Sequence, residues 1–115
     1  MIIGTIALIV TGAVVATLVA LCSSGVIRRN PVVGIRVPTL LASDQAWTVG
    51  HRAALMPAIV AAVASLVLGV TAILVPSVQD WGLLLAGGPV LVGLIWATAR
   101  ASRASSAVAG GSDTN

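Results

Sequence analysis

Residues Arg28 to Arg52 read RRNPVVGIRVPTLLASDQAWTVGHR, and almost everything on either side of them is apolar. This stretch holds four of the six arginines, the single histidine, one of the three aspartates and one of the three tryptophans. The chain is 58% hydrophobic and 8% charged, against about 25% charged in an ordinary soluble domain. That is too little polar surface to cover a soluble globule, so the composition reads as an integral membrane protein. The net charge of +3 comes from arginine alone. These arginines flank apolar runs instead of forming a basic face, which argues against direct nucleic-acid binding.

Upstream of the stretch, Met1 to Ile27 carries no charged residue, long enough for the roughly 20 residues that cross a bilayer. No Lys or Arg precedes it, so a retained helix is favoured over a secretory signal. Leu21 stands before Cys22, where a lipoprotein signal wants a small residue. Downstream, Ala53 to Gln79 is again free of charge, and Pro76-Ser77 ends it. A last apolar run leads to Arg100 and Arg103, with Gly87-Gly88-Pro89 as an expected kink.

The sequence therefore predicts an all-α integral membrane protein with three transmembrane helices, at about residues 2–24, 53–75 and 81–99. A cytoplasmic loop follows the first, and a short interfacial helix at about 43–52 leads into the second. Residues 1–104 form one three-span domain, and 105–115, rich in Ser, Ala and Gly, form an expected disordered tail. The first loop and the segment that follows the third span carry all six arginines, which predicts that both are cytoplasmic and the N-terminus outside. Small residues recur at every fourth position: Gly12, Ala16 and Ala20, then Ala61, Ser65 and Gly69, then Gly93 with Ala97. Such faces let helices approach closely in lipid, within one chain or between copies.

Within the loop, Asn30-Pro31 stops the first helix. Ser43 is the expected N-cap of the next, with Asp44 in its first turn, where the helix dipole favours negative charge. A helix from there puts Asp44, Thr48, His51 and Arg52 on one face, and Trp47 is expected to anchor at headgroup depth. Arg36 is either one of four topogenic arginines or a brace paired with Asp44. His51 has no second His or Cys to share a metal, and reads as an interfacial residue bonded to a carbonyl or a lipid phosphate. No catalytic residue, metal or cofactor is expected, and the protein reads as non-enzymatic. The spans hold no ionisable residue, which ranks an ion-coupled transporter last.

Asn30, Gly34-Ile35-Arg36, Pro38, Ser43, Trp47 and His51-Arg52 resemble the signature of the SdpI family of bacterial membrane proteins. Val37 and Gly50 stand where that family usually has Thr, and Ala53-Ala54 where a Gly often follows. The resemblance implies a role in immunity to, or sensing of, a secreted antibacterial peptide, acting through the membrane-edge loop. The expected site residues are Asn30, Gly34, Arg36, Pro38, Ser43, Asp44, Trp47, His51 and Arg52. Expected partners are the lipid bilayer, a toxin peptide, a repressor protein or a second copy. The other reading is a small accessory or structural subunit of a larger membrane complex.

Overall fold

A computed structural model describes residues 2–30, 33–35 and 38–113. Three long helices dominate it: α1 at Ile2–Ser23, α3 at Asp44–Leu74 and α4 at Gly82–Asp113. A four-residue helix, α2 at Pro38–Leu41, lies in the first connection, and a 3₁₀ helix at Pro76–Trp81 makes the second. All three long helices are long and apolar enough to cross a membrane. The described residues include no strand.

The helix ends follow from local chemistry. At the end of α1, Gly25 takes φ +88°, a conformation that costs glycine least. The Ile27 N–H then reaches back 3.1 Å to the Leu21 carbonyl, satisfying an acceptor left over by the last turn. At the end of α3, Val75 is extended at φ −106°, ψ 109°, because Pro76 disfavours a helical residue before it.

Helix α3 is the central element and packs along both α1 and α4. Its small residues make this close. A Cβ on Gly12 would meet Val90 at 3.2 Å, and one on Gly69 would meet Ile9 at 2.6 Å. A Cβ on Gly93 would collide with Ala61. The every-fourth-residue faces are thus seams within one chain. Ser65, fully buried in the α3–α4 seam, donates a 2.7 Å hydrogen bond to the Ala86 carbonyl. The outer faces carry exposed side chains such as Val10, Val63, Leu91, Val92 and Ile95. Lipid covers such a surface without the penalty that water imposes.

Two expectations change. The helix at 43–52 is not a separate interfacial element: one continuous helix runs from Asp44 to Leu74, with Pro57 inside it. A proline removes one backbone bond without ending a helix that neighbouring helices hold in place. The last span runs through Gly87-Gly88-Pro89 within a single helix, α4, as the expected span at 81–99 requires. It then continues to Asp113, across residues 105–113 of the expected tail, because Ala101 and Ser105 are fully buried and tie its extension down.

Candidate functional site

At the arginine-rich end, the first connection folds back onto α3 and α4. The anchor is the buried pair Trp47 and His51, one turn apart on α3, with ring centroids 4.3 Å apart. Trp47 is 1% exposed and His51 0%, so both rings pack against the chain itself, and His51 takes a backbone carbonyl as the partner that the sequence allows. The Trp47 indole Nε1–H donates to the Ile27 carbonyl at 3.1 Å, fastening the chain just after α1. The His51 ring makes two bonds: Nδ1 lies 2.8 Å from the Trp47 carbonyl, and Nε2 accepts the Ile35 N–H at 2.9 Å. Accepting at Nε2 requires a neutral ring with its proton on Nδ1, so the two partners together select one tautomer.

Gly34 explains why the preceding residue must be small. Its φ is +104°, and a Cβ there would lie 2.7 Å from the Trp47 ring and 3.0 Å from His51 Nε2. Its backbone passes close against the aromatic pair, and the next N–H, that of Ile35, reaches the imidazole. The Ile35 side chain then reaches a small apolar cavity of about 30 Å³ where α1, α3 and α4 meet.

The remaining signature residues shape the approach. Asn30 makes a local turn: its Nδ2 donates to the Arg28 carbonyl at 2.6 Å, and its Oδ1 accepts the Val33 N–H at 2.7 Å. Ser43 caps α3 as expected, accepting the Ala46 N–H at 3.0 Å. Pro38 opens α2. Asp44 pairs with Arg29 at 3.4 Å. Arg36 lies outside the described residues, and with it the expected Arg36–Asp44 brace. Arg52 is exposed although its neighbour His51 is buried, so the predicted polar face divides into a buried and an exposed half.

Several residues of the site escape sequence reading. Arg29 donates from Nη1 to the Leu41 carbonyl at 3.1 Å as well as pairing with Asp44, so one guanidinium ties α2 to α3. Leu40 is fully buried and sits over Gly50, where a Cβ would meet it at 2.7 Å and the Ala101 carbonyl at 3.3 Å. Glycine in an otherwise helical pattern is the signal that could have marked this close approach. Together these contacts build a packed layer beyond the spans, formed by α2, the first turns of α3 and the last turns of α4.

The arrangement spends its polar groups on positioning backbone. No group of three or more metal-ligating side chains occurs among the described residues. Both ring nitrogens of His51 are committed to holding the loop. Its features define a class: a three-span membrane protein whose connection after the first helix is clasped onto the ends of the other two. The chain belongs to the SdpI/YfhL protein family, whose match covers residues 26–99, from just after α1 through the spanning part of α4. No curated protein and no solved structure matches it.

Proposed function

We propose that the chain is a non-enzymatic immunity or sensing protein of the bacterial cell membrane, acting against a secreted antibacterial peptide through the clasped loop. The observation that carries this reading is the use made of the signature residues. Gly34, Trp47 and His51 spend their chemistry on holding the loop in one shape, as a recognition surface requires. In this reading the arginine-bearing loop and the end of α4 face the cytoplasm and the N-terminus faces outward, following the positive-inside bias. Arg36 and Arg52, beside the clasp in sequence, supply charge for a partner to read.

The test is survival. Deleting the gene is expected to sensitise the producing cell to a secreted antibacterial peptide, and re-expression of the wild-type chain, but not of a Trp47→Ala or Arg36→Ala variant that accumulates normally, is expected to restore resistance. Unchanged survival across a panel of such peptides would count against immunity. Co-purification of a stoichiometric larger partner from mild detergent would instead favour an accessory subunit.

A further inference from the structure

Beside the clasp lies an open cleft of about 330 Å³, lined by Gly25, Ile27, Arg28, Arg29, Asp44, Trp47 and Thr48. We propose that this cleft is a binding site for a phosphoethanolamine headgroup. The site stands apart from any role in peptide immunity.

Depth comes first. One wall is the chain immediately after α1, where a run without charge from Met1 to Ile27 gives way to Arg28-Arg29. The wall that begins at that junction is within reach of the lipid phosphates, which start where the hydrocarbon ends. Charge comes next, and both signs are present. Arg28 is exposed, and its guanidinium has no partner among the described residues. The Arg29 guanidinium is held in place by the Leu41 carbonyl at Nη1 and by Asp44 at Nε, leaving Nη2 for a further acceptor. Two arginines lining one cleft suit a phosphate diester, because each planar guanidinium fork can donate charge-assisted bonds to its oxygens.

Asp44 makes the site more selective than a pair of arginines. Its side chain is 86% exposed, and only Oδ1 contacts Arg29. The second oxygen of this exposed carboxylate, on a residue that lines the cleft, is an acceptor for a cation. A simple anion would meet repulsion from this carboxylate, and a headgroup carrying phosphate and ammonium together would satisfy both signs. Gly25 keeps the entrance open, because nothing lies within 4 Å of where its Cβ would be.

The test uses the whole chain in nanodiscs containing equal amounts of phosphatidylethanolamine and phosphatidylglycerol, followed by gentle transfer to detergent and native mass spectrometry of the retained lipid. Wild type is expected to retain phosphatidylethanolamine preferentially. Arg28→Gln is expected to lower that retention about tenfold, the effect of losing one good charge-assisted contact. Asp44→Asn is expected to abolish the preference while keeping phosphatidylglycerol bound. Equal retention in wild type and Arg28→Gln would overturn the proposal, as would an unchanged preference in Asp44→Asn; thermal unfolding of each variant verifies that it is folded. Soluble phosphoethanolamine, added to delipidated protein, separates the sources: displacement of the lipid by it assigns the site to the headgroup chemistry from either source, and failure to displace assigns it to the intact lipid.

Discussion

His51 shows how much a single side chain decides. It is the only histidine, it is fully buried, and each ring nitrogen has one backbone partner. The partners are not equivalent. The Trp47 carbonyl belongs to the interior of α3 and keeps a helical partner when the ring is removed. The Ile35 N–H has no helix to return to. His51→Ala is therefore expected to lower stability by about 1–3 kcal/mol, the cost of a buried donor left without an acceptor. His51→Gln, whose amide oxygen can replace Nε2, is expected to recover part of that loss. Thermal unfolding in mild detergent measures both, and equal losses would show that the imidazole fills space and does not hold the loop.

Which side chains would do this was only partly legible. Ser43 as a cap follows from its own chemistry and its neighbours in sequence. The burial of Trp47 does not, because an indole near an apolar run serves equally at a membrane edge or inside. What decides is a carbonyl 20 residues away, that of Ile27. Asp44 was legible as a charged first-turn residue, but its partner Arg29 emerged only once α2 and α3 were placed against each other.

At the scale of the helices, small residues set how near the backbones come, and two glycines of α4 make the contrast testable. A Cβ on Gly93 would overlap Ala61 and lie 3.5 Å from the Pro57 carbonyl, whereas one on Gly88 would meet nothing within 4 Å. Gly93→Ala is expected to cost about 1–3 kcal/mol, because backbone must shift to admit the methyl group. Gly88→Ala is expected to be neutral or to stabilise by about 0.5–1 kcal/mol, since alanine is the better helix former. Unfolding in a graded detergent mixture ranks the two. The periodic small residues were visible in the sequence, but not which of them face a neighbour, since that depends on the rotation of each helix about its axis. The continuity of α3 from Asp44 through Pro57 was likewise hidden, because packing against neighbours overrides a local helix-breaking preference.

The whole molecule is longer than a bilayer needs. Helices of 31 and 32 residues extend about 46–48 Å at 1.5 Å per residue, against a hydrocarbon core of about 30 Å, and the long axis measures 59 Å. The excess lies at the clasp end, where buried Leu40, Ala46, Gly50, Ala101 and Ser105 fill the space between α2, α3 and α4. Truncation defines how far this layer reaches. Ending the chain after Val108 is expected to leave accumulation in the membrane and unfolding temperature unchanged. Ending it after Arg100 removes Ala101 and Ser105, and is expected to lower both. Composition alone could not place this boundary, since Ser, Ala and Gly suit a close-packed helix as well as a loose tail.

The burial of Trp47 has an optical consequence. Of the three indoles, Trp81 is 58% exposed and Trp96 42%, while Trp47 is 1% exposed and lies against a tilted imidazole. Replacing Trp81 and Trp96 with phenylalanine leaves one emitter, shielded from the surroundings and fastened to the chain after α1. The colour and lifetime of its fluorescence then report whether the loop is seated, with no dye attached.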